Sequence, residues 1–138
     1  MCCMPSLEEL RAFFASHVPQ STVTLTELGD GTARVRQEVD DRHLRPGGTV
    51  SGPVLMATAD AAAYIALFTR IGIVPLAVTS NLSISFLRRP KPGRAILGDA
   101  RVMKAGRKLA FMEVWLRSEG DEEPVAHATV TYAIPPAP

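Results

Sequence analysis

The chain has 138 residues, of which 46% are hydrophobic and 21% charged, and its 15 basic and 14 acidic residues leave a formal net charge of +1. This size and balance predict a single globular domain over residues 1–138 and exclude a disordered or fibrous class of protein. The near-neutral charge argues against a nucleic-acid partner. Cys2 and Cys3 are adjacent and have no zinc-ligand spacing, so we expect no metal site.

The N-terminal stretch MCCMPSLEEL has no basic segment followed by an apolar one, so it does not predict a secretory signal. The longest apolar run, from Pro53 to Phe68, is interrupted by Asp60 and is too short for a membrane span. We therefore expect a cytoplasmic protein without a membrane partner.

The first predicted elements are a short helix and a β-hairpin. Ser6 and Glu9 have the spacing of a helix-capping box, and apolar residues at helical spacing follow them. Residues 22–28 and 32–39 have the pattern of two strands, and the glycine-containing segment 29–31 between them favours a tight turn.

An irregular, glycine-rich loop over residues 40–52 leads into a long apolar helix. Pro53 suits the first turn of a helix, because the N–H that it lacks would have no helical partner there. The helix is predicted to run to about Arg70 and to stop at Gly72. Because it is apolar almost all round, we expect a buried central helix over about residues 52–70.

The rest of the chain has the pattern of four strands, near 78–88, 94–104, 108–118 and 124–134. The alternation in the first of these predicts one face with Val78, Leu82, Ile84 and Phe86, and an opposite face with Thr79, Asn81, Ser83 and Ser85. Short turns between strands make neighbouring strands antiparallel. The order of elements predicts an α+β fold in which a curved antiparallel sheet wraps around the central helix.

Asp60 is the first residue that indicates chemistry, because it lies about two turns into the apolar helix. A carboxylate on an apolar face is costly unless it is paired or faces a cavity. It is therefore either a structural aspartate, satisfied by a strand hydroxyl or exposed at an edge, or a general base in a poorly solvated site.

The loop before the helix, RPGGTVSGP from Arg45 to Pro53, is the second such feature. Glycines before a helix let a ligand approach free N–H groups, whose dipoles favour a developing negative charge. A thioester carbonyl that becomes an oxyanion is a charge of this kind. A plain loop that leads into a helix is the simpler alternative.

Residues 42–53, followed by Ala59-Asp60, resemble the signature of the hotdog thioesterases of the phenylacetic-acid-degradation type. Residues 79–90 and 106–111 are similar to that family's central strand and to a later turn, and the resemblance covers about residues 30–134. It implies a hotdog fold, hydrolysis of alkyl- or aryl-CoA thioesters without a cofactor, and self-association as a dimer or a dimer of dimers with the site at a subunit interface.

The resemblance also implies roles for five residues. Asp60 would activate water or attack directly, the Gly52 amide would polarise the carbonyl, and Thr79 would orient the water from a neighbouring subunit. His43 matches the first histidine of the family signature. Ser51 would add a hydrogen bond or cap the helix.

Basic residues near strand ends suit the phosphates of CoA, although they also suit solvent-exposed turns. The residues predicted to bind substrate are the loop residues Arg45 and Gly48, the strand residue Asn81, and the cations Arg88, Arg89, Arg107 and Lys108.

Three departures from the family pattern leave another function open. Arg45 stands at the family's asparagine, Ser51 at its second histidine and Pro53 at its second glycine. These departures favour a hotdog protein that binds an acyl-CoA or another acyl ligand without hydrolysing it. A hotdog hydratase is a weaker third interpretation. Such an enzyme has a paired Asp and His in the loop before the helix, and only His43 is available here.

Overall fold

The computed structural model describes residues 4–40, 43–46 and 48–136. In chain order its elements are α1 (Leu7–His17), β1 (Thr24–Gly29), β2 (Thr32–Gln37), α2 (Gly52–Ile71), β3 (Val78–Phe86), β4 (Ile96–Ala105), β5 (Leu109–Ser118) and β6 (Pro124–Ala133). The six strands form one antiparallel sheet in the order β1-β2-β4-β5-β6-β3, and α2 packs against it. The predicted α+β hotdog arrangement is confirmed.

The central helix lies close to β4 at Gly98, a position without a side chain. A Cβ at Gly98 would lie 3.1 Å from Leu116 Cδ2 and 3.5 Å from Thr58 Cγ2 of α2. A Cβ there would make Leu116 give way by a few tenths of an ångström, whereas the distance to Thr58 is an ordinary van der Waals contact. The core that results consists of the apolar face of α2 and the even-numbered residues of β4, β5 and β6, among them Leu55, Ala59, Ile65, Phe68, Ile96, Met112, Val114 and Val130.

The prediction that the apolar run is too short to span a membrane is wrong on length, because α2 extends over 20 residues. By length and composition alone it would pass as a membrane span. However, 56% of its most apolar window is buried inside the protein, and ten of its residues are buried against the sheet and α1. These are the features of a core helix of a globular domain.

The two edges of the sheet differ. At the β1 edge, α1 begins with the predicted Ser6–Glu9 capping box, and the Arg11 guanidinium donates two hydrogen bonds to Leu25 O at 2.7 and 3.1 Å. At the other edge β3 is nine residues long and pairs only with β6 among the described residues. An unpaired edge of this length is a template for pairing with another chain.

The predicted facing of β3 is wrong at its start, because a β-bulge lies between Thr79 and Asn81. Thr79 pairs with Tyr132 of β6 and faces α2, whereas Val78 pairs with Ala133 and faces outward. A bulge adds one residue to a strand and so reverses the alternation on one side of it. The pattern after the bulge agrees with the prediction.

Candidate active site

Asp60 lies at the centre of a hydrogen-bond cluster between α2 and the sheet. The Thr79 hydroxyl donates to Asp60 Oδ1 at 2.7 Å, and the Tyr132 hydroxyl donates to the same oxygen at 2.9 Å. The aspartate is half-buried, so part of its surface is accessible to solvent. The contact joins Thr79 to the Asp60 of its own chain, and the role predicted for Thr79 across a subunit interface stays a prediction.

The two tyrosines beside Asp60 are held in their neutral form. Burial, followed by the charge of Asp60, raises the pKa of Tyr132 far above its ordinary value. The pKa of Tyr64 is raised by the same two causes in the same order. Both hydroxyls therefore stay protonated at physiological pH and act as donors, Tyr132 to Asp60 and Tyr64 to Pro75 O at 2.9 Å.

The first turn of α2 is the second part of the site. Ser51 is the N-cap residue, as predicted, but its side chain makes no capping hydrogen bond. At α1, by contrast, the Ser6 hydroxyl accepts a hydrogen bond from Glu9 N–H at 3.1 Å. The N-terminal N–H groups of α2 thus lack the side-chain acceptor that α1 has, and they are suited to an incoming oxyanion.

Phe86, the last residue of β3, packs across the start of α2. A Cβ at Gly52 would lie 3.3 Å from Phe86 Cζ, so glycine allows both this packing and a close approach to the backbone. A groove of about 380 Å³ lies beside this contact. Its lining includes apolar residues and three predicted substrate-binding cations: Val50, Leu55, Phe86, Arg45, Arg88 and Arg89.

The two parts of the site are too far apart for one thioester to reach both within one chain. Gly52 and Asp60 are eight residues apart on one helix, which at a rise of 1.5 Å per residue separates them by ~12 Å along the axis. An attacking water and the carbonyl oxygen that it converts to an oxyanion must lie within a few ångströms of each other. This distance limits the chemistry that one copy can perform.

Two of the predicted loop residues make contacts within the loop. His43 Nδ1 accepts a hydrogen bond from Asp40 N–H at 3.0 Å, and its carbonyl accepts one from Ser51 N–H at 2.9 Å. Gly48 has a φ of 77°, which favours glycine, and its N–H donates to Arg45 O at 3.0 Å. These contacts shape the turn before α2, and none of them joins His43 or Gly48 to Asp60.

The remaining predicted residues lie away from Asp60 in this chain. Asn81 follows the bulge and pairs with Thr131 on the outward face of β3. Arg107 and Lys108 lie in the turn between β4 and β5, at the end of the sheet where β3 begins. Arg89, Arg107 and Lys108 have no carboxylate partner in the part of the chain that the structure describes, whereas Arg88 Nη1 lies 3.2 Å from Glu123 Oε2.

Tyr132 is the member of the cluster that sequence reasoning missed. It shares the inward face of β6 with Val130, and it is only 3% exposed. A tyrosine on the apolar face of a strand needs a polar partner for its hydroxyl. That rule could have marked Tyr132 as a residue to pair with Asp60, but the partner itself depends on how the sheet is aligned with α2.

Comparisons with known proteins agree with this architecture. The profile of the thioesterase superfamily matches residues 47–125. The crystal structure of an inferred thioesterase from Silicibacter sp. has a TM-score of 0.90 to this structure. The two sequences are 43% identical, and the match covers 99% of this chain and 96% of that one. No curated protein sequence matches.

Two more distant structures have the same fold. The phenylacetic acid degradation protein PaaI from Thermus thermophilus, in a mutant form, is 28% identical, with a TM-score of 0.73 over 90% of this chain and 99% of that one. A Streptococcus mutans protein bound to acetyl-CoA is 24% identical, with a TM-score of 0.75 over 84% of this chain and 90% of that one. The chain belongs to the thioesterase superfamily and has its hotdog fold.

Proposed function

We propose that this protein hydrolyses acyl-CoA thioesters, alkyl or aryl, to the free acid and CoA. The observation that carries the proposal is the Asp60 carboxylate, which is oriented by Thr79 and Tyr132 on the central helix of a thioesterase-superfamily chain. CoA esters are the substrate class of choice because the groove at the start of α2 has three arginines, and because a protein of the same fold binds acetyl-CoA.

The proposed reaction has two steps, the addition of water to the thioester carbon and the loss of the CoA thiolate. Asp60 takes a proton from a water whose oxygen attacks the thioester carbon, and the carbonyl oxygen becomes an oxyanion beside the Gly52 N–H. When the oxyanion collapses, the C–S bond breaks and the CoA thiolate takes the proton back from Asp60. No cofactor or metal enters this sequence.

The ~12 Å between Gly52 and Asp60 leads us to propose that two copies form each site. The unpaired β3 edge offers the interface, because two such strands can pair antiparallel about a twofold axis. Thr79 and its partner Asp60 lie at one end of β3, and Phe86 and its neighbour Gly52 lie at the other. Antiparallel pairing centred on Leu82 would therefore place Asp60 of one copy near Gly52 of the partner subunit.

The same pairing gives the distant cations a role. The turn with Arg107 and Lys108 lies at the Thr79 end of the sheet, so it would approach the groove of the second copy with its Arg45 and Arg89. Cations from two chains would then face the pyrophosphate and 3′-phosphate of one CoA. The His43 and Gly48 contacts would hold the loop that forms the wall of this groove.

The test is the release of free thiol from a panel of alkyl- and aryl-CoA esters by the wild-type protein and by Asp60→Asn. We expect turnover of at least one class by the wild type and its loss in the variant, with an unchanged melting temperature. Undiminished thiol release by Asp60→Asn would contradict the proposal. Saturable acyl-CoA binding without thiol release from any ester would support the non-catalytic binder that Arg45, Ser51 and Pro53 favour.

A further inference from the structure

We propose that Tyr132 is a positioning residue for Asp60 and that, together with Thr79, it makes Oδ2 the oxygen that takes the proton from water. The inference rests on the proposed hydrolase function and deepens it. It assigns a role to a side chain of β6 and distinguishes between the two oxygens of one carboxylate.

Both described hydrogen bonds to the Asp60 side chain reach the same oxygen. Thr79 Oγ1 lies 2.7 Å and Tyr132 Oη 2.9 Å from Oδ1, and none of the described residues donates to Oδ2. A carboxylate can turn about its Cβ–Cγ bond, and a single donor would leave much of that freedom. Two donors from two adjacent strands fix the plane of the group and leave Oδ2 available.

The Tyr132 hydroxyl is suited to this task because it is a constant donor. Its pKa is raised by burial and by the neighbouring Asp60 charge, so it does not ionise in the working range of pH. The hydroxyl also lies 3.3 Å from the Asp60 main-chain carbonyl, which locates it against α2 as well as against the side chain. A buried donor of this kind orients an acceptor without adding a positive charge.

The ring of Tyr132 is itself fixed. It stacks on Tyr64, one helical turn after Asp60, with ring centroids 5.4 Å apart and an interplanar angle of 19°. Tyr64 packs in turn against Phe68, at a centroid distance of 4.3 Å. The hydroxyl of Tyr64 donates to Pro75 O and makes no described contact with Asp60. The chain therefore contains two stacked tyrosines of which only one reaches the carboxylate.

This arrangement divides the work between the groups. The hydroxyl hydrogens of Thr79 and Tyr132 both form hydrogen bonds to Oδ1, so neither is available to donate to the reacting water. Oδ2 accepts the proton of the attacking water, and the Thr79 oxygen keeps a lone pair that can accept the water's second hydrogen. The bond between the water oxygen and the thioester carbon forms, the C–S bond breaks, and Oδ2 passes the proton of the water to the leaving thiolate.

The experiment compares Tyr132→Phe with Tyr64→Phe, because each change removes one hydroxyl and keeps both rings stacked. For Tyr132→Phe we expect kcat to fall about tenfold to a hundredfold, as for a lost hydrogen bond to a charged group, with KM within about twofold. The acid side of its kcat–pH profile should move to higher pH, because one donor to the carboxylate is gone. Tyr64→Phe should leave kcat and the pH profile unchanged.

A spectroscopic readout keeps the inference testable should Tyr132→Phe fail to fold. The chain has two tyrosines, so fluorotyrosine incorporated into Tyr64→Phe gives one fluorine NMR signal, from Tyr132. We expect this signal to shift when Asp60→Asn is added and to stay in place when Glu113→Gln is added. Glu113 is the matched acidic control, since it faces the opposite side of the sheet.

The inference is overturned if Tyr132→Phe keeps the wild-type kcat and pH profile while Asp60→Asn is inactive. It is also overturned if the fluorine signal of Tyr132 does not shift when Asp60→Asn is added. In that case the proposed function survives without the role of Tyr132. If wild type and Asp60→Asn release thiol equally, the proposed function itself fails, so the two failures are distinguishable.

Discussion

Two carboxylates on opposite sides of the sheet differ in their hydrogen-bond partners, and the partners of each one suit it to a different role. On the inner side, Asp60 accepts hydrogen bonds from the neutral hydroxyls of Thr79 and Tyr132. On the outer side, Glu113 of β5 accepts from His127 at 3.0 Å and from the Arg101 guanidinium. These two partners, His127 first, lower the pKa of Glu113 below its ordinary value.

The difference shows that a carboxylate can be oriented either by a neighbouring cation or by neutral hydrogen-bond donors. A cation beside a carboxylate holds it in place but also opposes its protonation, so Glu113 is suited to linking strands and poorly suited to accepting a proton. Neutral donors also favour the ionised carboxylate, but without a full positive charge beside it they oppose its protonation less. Asp60 is therefore the acid of the pair that fits a general base, and Glu113 is its structural counterpart.

The largest expected effect tests this division directly. Asp60→Asn and Glu113→Gln each replace a carboxylate by an amide of the same shape. Asp60→Asn should lower kcat about a hundredfold to ten-thousandfold, the usual contribution of a general base, whereas Glu113→Gln should stay within about twofold of wild type. Steady-state thiol release on the best substrate measures both. Similar losses in the two variants would remove the distinction.

A smaller effect concerns the bulge that turns Thr79 inward. Thr79→Val removes one donor to Asp60 and should lower kcat about tenfold, because a hydrogen bond to a charged group is lost. Thr129→Val, on the outward face of β6, is the matched control and should leave kcat unchanged. Equal activity of the two variants would show that the Thr79 contact does not contribute to turnover.

The smallest effect is on stability and depends on pH. At pH 7 Glu113→Gln should lower the free energy of unfolding by up to about 1 kcal/mol, the range for partly exposed ion pairs. Because the pKa of Glu113 is lowered in the folded state, this contribution exists above the ordinary carboxyl pKa and is lost as the pH falls through the lowered value. Urea unfolding should therefore show a difference that shrinks below about pH 4. A difference that grows toward acid pH would contradict the sign.

The features that could be predicted from sequence are local ones. The capping box at Ser6, the buried helix beginning at Gly52 and the acid at Asp60 each follow from residue types at fixed spacing along one segment. The inward side of Thr79 and the contact of Tyr132 depend on a bulge and on the register between β3 and β6. The extra residue of the bulge, Ser80, lies in β3 itself and shows only in the pairing of β3 with β6, so pattern reasoning on a single strand missed both features.

The most direct measurement of the central claim mixes two variants. Co-expressed Asp60→Asn and Gly52→Val chains give hybrid dimers in which one site has an intact Gly52 from one chain and an intact Asp60 from the other. If half of the dimers are hybrids with one intact site of two, the mixture should regain about a quarter of wild-type thiol release, although each variant alone is nearly inactive. Activity that remains at the average of the two separate variants, or full activity of Gly52→Val alone, would contradict a site shared between Asp60 and the Gly52 of the partner subunit.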